Sequence, residues 1–456
     1  MAPVLKVAVI GAGISGLITA RALKGEGHQV VVYEKLDQLG GTWVYNPEVE
    51  SDPLGLDPNR EIVHSSLYQS LRTNLPRQLM GFVDYPFAIR ECGDSRNFPG
   101  HEEVLEFLNE FARDFGLVKL IRFKTEVVRV QQVDLRNDQW IVGSRTNKVS
   151  SDEVFDAVVV CVGHYTQPRL ADLPVNQISI FMLQNLQGIE NWPRKQMHSH
   201  NYRVPEPFQD QIVVVIGDGP SALDIPLEIS KVAKEVHLSS KSSDIKLSKL
   251  DCGDNMWQHS KIDHVDGNGE VTFQDGAFIR ADFILHCTGF NYCFPFLKTE
   301  GVVAVDDNRV GPLYKHIFPP QLAPNLSFVG VPYRSTSITM TVDLQAKWIA
   351  LVLSGKAPLP SKEEMMADVQ ECYRYMDDKG IPKHHTHNLG LKFEYSDWLA
   401  SQVGLAGAYE QTRLIEKSYF KFAADKGVWR RREWHPGCGI QDEESQGESD
   451  LETVDI

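Results

Sequence analysis

Two glycine-rich runs carry the first chemical signal in this chain. Gly11-Ala12-Gly13-Ile14-Ser15-Gly16 follows the continuous apolar run LKVAVI and leads into LITARALKGEG, whose apolar spacing is helical. VVVYEK then closes on Glu34 and Lys35. Strand, glycine turn, helix, strand, acid is the order in which a mononucleotide-binding fold cradles a diphosphate. Gly11 permits the tight turn, Gly13 lets the backbone approach the phosphates, and Gly16 lets the helix lie close on the strand. The N–H groups opening the helix, at Ile14 and Ser15, face the anion. Glu34 is placed to accept hydrogen bonds from a ribose diol.

The pattern recurs downstream. QIVVVI runs into Gly217-Asp218-Gly219-Pro220-Ser221-Ala222, then the helix-like SALDIPLEISKVA, then KEVHLSS ending near Ser240 and Lys241. The third glycine has become Ala222, and no acid ends the second strand. A hydroxyl and a cation at Ser240 and Lys241 suit a 2′-phosphate, so this turn favours NADPH over NADH, whereas the first turn suits FAD. Lys241 reads equally as a solvated surface lysine. Asp218 is the awkward residue, because an acid inside the turn repels phosphate unless its side chain points away. Two dinucleotide sites on one chain imply a hydride passed from one cofactor to the other. The seven cysteines contain no CxxC pair, which leaves a quinone, oxygen or an organic molecule as the final acceptor and disfavours a disulfide framework or a zinc ribbon.

The elements that position these residues fit an α/β chain with two Rossmann-like dinucleotide-binding domains. At 456 residues the chain is too long for one ordinary core. FDAVVVCVGHYTQP and ADFILHCTGF, the second carrying Thr288 and Gly289, each end a buried strand at a glycine and bracket the second glycine turn. That order predicts an NADPH domain inserted into an FAD domain: 1–170 and 297–440 for the FAD domain, 171–296 for the NADPH domain, and 441–456 as an acidic disordered tail. The formal charge is −15, and seven of the acids lie in that tail. An acidic chain argues against nucleic acid or an anionic membrane as partner. With no apolar run near the length of a bilayer span and no leader pattern, the expectation is a soluble protein with the cytoplasm as default. Oligomeric state is not readable. VWRRREWHPG, at 428–437, reads as a solvated helix end with arginines lying along it, or as an amphipathic contact surface.

Taken together, GAGISGL with Glu34, GGTWVY, HSSLYQSLRTNLPRQLMGF, WPRKQMHSHNYR, HCTGF and LQAKWIALVLSG resemble the plant flavin-containing monooxygenases of the S-oxygenating group, with glucosinolate S-oxygenases and S-allyl-cysteine S-oxygenase among them. The resemblance spans about residues 5 to 435. It implies that NADPH reduces FAD, that oxygen adds to the flavin as a C4a-hydroperoxide in a dry pocket, and that a soft nucleophile such as a thioether sulfur takes the distal oxygen. It assigns Asn74 to the flavin and the nicotinamide amide, with Leu75 beside it; an asparagine capping the turn before Pro76 is the rival reading. It places Gly41, Thr42 and Trp43 on the flavin-side loop, where Trp43 reads equally as core packing, and Gln345 against the flavin ring.

The family fingerprint before the second turn appears with His198 and Tyr202 in place, Trp192 for its phenylalanine and Arg194 for its glycine. Either the turn differs there or the arginine contacts a phosphate. His198 reads as a structural histidine joining loop to domain. The implied activity is sulfoxide formation on small thioethers of the S-alkyl- or S-alkenyl-cysteine or methylthioalkyl type. The alternatives are N-oxygenation, oxygen insertion beside a carbonyl, or an NADPH oxidase-like flavoprotein in which Asp218 and Arg194 weaken NADPH use.

Overall fold

The computed structural model describes residues 4–134, 137–173, 175–176, 192–241, 245–335, 337–390, 393–405 and 410–438. The acidic tail expected at 441–456 lies outside the described residues. The chain divides into two compact units: Met1–Val44, Leu75–His164 and Tyr292–Tyr419 form the first, and Tyr45–Asn74, Tyr165–Asn291 and Phe420–Ile456 the second. Each contains a Rossmann-like parallel sheet, the second encoded between segments of the first. Residues 45–74 and 420–438, which the sequence reading attaches to the FAD domain, group with the second unit because their hydrogen-bond partners lie there.

In the first unit, β1 (Lys6–Ile10), β2 (Gln29–Tyr33), β3 (Ile121–Arg122), β7 (Ala157–Val160) and the strand Leu326–Phe328 form one sheet. Its order is Leu326–Phe328, β7, β1, β2, β3, with every pair parallel. Val7, Ala8 and Val9 are wholly buried, as strands covered on both faces require. Helices α1 (Ile14–Gly25) and α4 (Ile338–Leu353) pack together on this sheet's core. Ser337 caps α4, its Oγ accepting from the Met340 N–H at 3.3 Å. A separate antiparallel meander, β4 (Thr125–Asp134), β5 (Asn137–Thr146) and β6 (Val149–Phe155), has no counterpart in the sequence reading.

In the second unit the parallel order is Lys195–His198, Phe283–His286, Ile212–Ile216, Glu235–Ser239, Met256–His259, with Ser248–Lys249 antiparallel at the edge. Helix α3 (Pro220–Ile229) follows the central strand. Among the described residues no helix is long and apolar enough to cross a membrane, no group of side chains forms a metal site, and all seven cysteines are free.

Candidate functional site

The first glycine turn is built by close backbone approach. Gly11 takes φ +103°, and a Cβ there would lie 2.6 Å from the Cys161 carbonyl oxygen; one on Gly16 would lie 1.9 Å from that of Gly11. Gly13 caps α1 and faces Gly41, where an added Cβ would meet the Gly13 Cα at 2.9 Å. Gly41 opens a single turn of 3-10 helix with Thr42 and Trp43, and Trp43 packs partly buried against the core. The start of α1 bears no acid, so the N–H groups at Ile14, Ser15 and Gly16 present uncancelled positive character. Glu34 is buried. Its Oε2 accepts from the Ala12 N–H and its Oε1 from the Leu36 N–H, both at 2.9 Å. Each carboxylate oxygen keeps a second lone pair for a ribose hydroxyl. Burial pushes this carboxyl above its usual range, opposed by those two N–H bonds. Lys35, beside it, is exposed.

These features fit a dinucleotide. The glycines leave no Cβ between the backbone and a diphosphate, and the one acid at the strand end is oriented by the turn itself.

The second turn repeats the construction with one difference. Gly217, at φ +134°, would place a Cβ 2.3 Å from the Cys287 carbonyl oxygen, so it is demanded by the fold. Gly219 caps α3 at φ −82°, and a Cβ there would meet nothing within 4 Å. Open space beside a turn glycine is what a diphosphate needs. Pro220 occupies the first helical position, Ser221 is half-buried beside it, and no acid lies in the first turn. Asp218 is exposed. Ser240 is half-buried just past the strand end, and Lys241 is exposed.

Arg194 enters an ion pair within its own unit. Its Nη1 pairs with Asp282 Oδ1 at 2.9 Å, and its guanidinium lies where a Cβ on Gly269 would collide with it. Asp282 in turn accepts from the Ile212 N–H at 3.0 Å, so this arginine steadies the start of the central strand.

The fingerprint residues act as rivets. His198 is fully buried; its Nδ1 accepts from the His200 N–H at 3.1 Å, so Nε2 carries the proton and donates to the Gly289 carbonyl at 2.9 Å. Burial lowers its pKa to about 3, which keeps the ring neutral. The Gly289 carbonyl also accepts from the Arg169 N–H at 3.0 Å, and the Thr288 hydroxyl donates to the Arg169 carbonyl. Next to it, Glu50 and Arg60 form a buried ion pair at 2.6 Å, and His200 Nε2 lies 3.0 Å from the other Glu50 oxygen. Asn201 accepts from the Glu50 N–H at 3.0 Å, and Arg203 donates to the carbonyls of Asn46 and Ser65 at 2.7 and 2.9 Å. The segment 45–66 is thus pinned to the fingerprint, a role for Glu50, Arg60 and Arg203 that sequence reasoning missed.

Asn74 ends that segment and is exposed, in a bend ahead of Pro76; Leu75 is half-buried against the core of the first unit. Its approach is fixed from the C-terminal end of the chain. The 3-10 helix Val428–Glu433 is not a solvated end: Arg431 is buried and donates to Asp224 Oδ1 at 2.6 Å, while Arg432 donates to Asp224 Oδ2 at 2.9 Å. Of the three arginines of this stretch, Arg430 alone is exposed, paired with Glu433 at 2.7 Å. Gln345, on α4, is wholly buried; its Oε1 accepts from the Gly330 N–H at 2.9 Å and its Nε2 donates to the Tyr395 hydroxyl at 2.8 Å. It therefore joins the loop after Leu326–Phe328 to α6 (Glu394–Gln402).

The family model for flavin-binding monooxygenase-like proteins matches residues 4–258 and 252–409. The chain belongs to that family. Among curated proteins it is 51% identical to flavin-containing monooxygenase FMO GS-OX5 of Arabidopsis thaliana, over 93% of this chain and 91% of that protein. Among solved structures it is similar to S-allyl-L-cysteine S-oxygenase from Allium sativum, with a TM-score of 0.88 and 49% identity over 95% of this chain and 96% of that one. Tmm from Pelagibacter sp. strain HTCC7211 follows at a TM-score of 0.74 and 26% identity, over 94% and 92% of the two chains. The chain is an enzyme of the flavin-dependent monooxygenase type, with FAD and NADPH as its cofactors.

Proposed function

We propose that this protein uses NADPH and oxygen to convert small thioethers to sulfoxides. The observation that carries the reading is the presence of two glycine turns, one ending at the N–H-anchored Glu34 and one opening into free space at Gly219, on a chain half identical to an S-oxygenase along nearly its whole length. The balance is one thioether, one O2, one NADPH and one proton giving one sulfoxide, one water and NADP+. NADPH supplies two electrons, the sulfur supplies two more, and one oxygen atom leaves as water.

Bound flavin supplies the activation of oxygen. The work left to the chain is binding, orientation and exclusion of water. Gly11, Gly13, Gly16 and Gly41 admit the FAD diphosphate, with the α1 N-terminus facing it and Glu34 accepting from the ribose. Gly217, Gly219, Pro220 and Ser221 do the same for NADPH, with Ser240 and Lys241 set at the 2′-phosphate. His198 holds the Gly289 carbonyl, and with it the Thr288–Gly289 turn, in one position. The Asn74 side chain offers a donor and an acceptor without a charge, which suits a polar oxygen species that a carboxylate would repel. The substrate is a small S-alkyl or S-alkenyl compound, and the cytoplasm is the compartment that supplies NADPH to it.

The test is product mass. Purified, FAD-loaded protein with NADPH and air is given S-methyl-L-cysteine, S-allyl-L-cysteine, a methylthioalkyl compound and a tertiary amine. Gain of one oxygen atom on the thioethers supports the reading. Flavin that is bleached and reoxidised while only the amine gains oxygen overturns the sulfur preference, and flavin that NADPH fails to bleach overturns the reaction.

A further inference from the structure

We infer that Arg432, held by Asp224, is a positioning residue for Asn74; the inference rests on the reading of Asn74 as the residue acting at the reacting oxygen. Arg432 Nη2 donates to the Arg72 carbonyl at 2.8 Å and Nε donates to the Thr73 carbonyl at 3.2 Å. These are the two peptide groups immediately before Asn74. The guanidinium fork thus fixes the direction in which the chain enters Asn74, which is itself exposed in an irregular bend and has no helix or strand to hold it.

The same Nη2 also donates to Asp224 Oδ2, and Arg431 occupies Oδ1 of that carboxylate at 2.6 Å, both from within the second unit. Arg431 and Asp224 are buried, at 4% and 8% exposure, so the carboxylate has one orientation and Arg432 is presented from a fixed base. A lysine has no planar fork and cannot reach two successive carbonyls and the carboxylate at once.

The base is helix α3, which begins at the second glycine turn. Asp224 and Glu228 stand one turn apart on it. Glu228 accepts from the Tyr202 hydroxyl at 2.9 Å and from the Ser70 hydroxyl. Positions 70, 72 and 73 are therefore all tied to the helix whose N-terminus faces the NADPH diphosphate. The helix that receives NADPH also sets where Asn74 sits.

The experiment compares full-length, FAD-loaded R432A, R432K, D224N and N74A with R430A as the neighbouring-arginine control. Two quantities are read: amide hydrogen exchange of the peptide spanning residues 70–76, and the share of consumed NADPH that appears as hydrogen peroxide with S-methyl-L-cysteine present. R432A and D224N are expected to speed exchange at residues 73–75 at least tenfold and to raise the peroxide share severalfold. R432K should recover less than half of either effect, and R430A should match the unsubstituted protein. N74A should raise the peroxide share without speeding exchange.

Unchanged exchange in both R432A and D224N overturns the clamp. Faster exchange with an unchanged peroxide share, while N74A raises it, overturns the positioning role. If N74A leaves the peroxide share unchanged, the reading of Asn74 fails and the positioning role falls with it, and the exchange data still decide whether the clamp exists. Should R432A fail to fold, R432K and D224N carry the same comparison.

Discussion

Gly219→Ala separates a ligand's requirement from the fold's. The residue caps α3 at φ −82°, which alanine adopts freely, and its Cβ would find nothing within 4 Å. The protein itself therefore loses little. Alanine is a poorer cap than glycine, and the stiffer unfolded chain offsets this, for a net change within about 1 kcal/mol. A diphosphate lying against this turn meets the new methyl directly and must withdraw from the helix N-terminus. Losing one charge-assisted hydrogen bond costs roughly 1.5–3 kcal/mol, which is about a 10- to 150-fold rise in the Kd for NADPH. Anaerobic stopped-flow reduction of the bound flavin, followed against NADPH concentration, gives that Kd, and a thermal melt gives the stability. A Kd within threefold of the unsubstituted protein, with the melt unchanged, would refute the assignment of this turn to the diphosphate. A melt lowered by more than about 5 °C would refute the claim that the space is open. Gly217→Ala is the contrasting case: its Cβ would lie 2.3 Å from a backbone oxygen, so folding itself should fail.

Three further outcomes are expected. Glu34→Gln must turn an NH2 group toward either the Ala12 or the Leu36 N–H, and FAD should bind at least tenfold more weakly when titrated by flavin fluorescence. Glu50→Gln leaves the Arg60 guanidinium buried without its counter-ion and should cost about 3–5 kcal/mol in denaturant unfolding; adding Arg60→Gln should restore part of the loss, and full additivity of the two would contradict the pairing. Burial holds His286 to about 4 and His198 to about 3, so these two rings stay neutral in the fold, whereas in the unfolded chain they gain protons below about pH 6.5. Their contribution is complete above pH 6.5 and is lost as pH falls from there toward 4, by about 2 kcal/mol for each ring at pH 5. A urea midpoint equal at pH 7 and pH 5 would contradict it.

What the sequence disclosed follows from burial. LKVAVI, QIVVVI and the strands around Val159 and Ile284 are covered on both faces, so each shows as an unbroken apolar run and the turns at their ends are easily placed. β4 is largely half-exposed and β6 largely exposed, with charged and polar side chains along their length, and they leave no such trace. Residues 45–74 have no regular period, and their partners His200, Asn201 and Arg203 lie well over a hundred residues away. Nothing local distinguishes Arg431 and Arg432 from Arg430, yet two are bound to Asp224 and one faces solvent. Long-range charge pairs have no local periodicity to reveal them. The fingerprint was legible as a motif, but its role as a set of rivets needed the partners.

The charge of −15 acquires a physical resolution at the two turns. An acidic protein that binds two anionic dinucleotides must neutralise whichever carboxylates stand near the phosphates. Neither α1 nor α3 carries an acid in its first turn. Glu34 is committed to two backbone N–H groups, and Asp218 is an exposed residue. Asp224 lies in the second turn of α3, and left alone its charge would offset the positive potential that the N-terminus offers a phosphate. Arg431 and Arg432 together overcompensate it, turning one negative charge into a net positive one beside α3. The pair thus serves the anion as well as the strap. Replacing Asp224 with asparagine should then tighten NADPH binding, or at least leave it unweakened, even as Asn74 loses its anchor. A purely structural brace would lose both together.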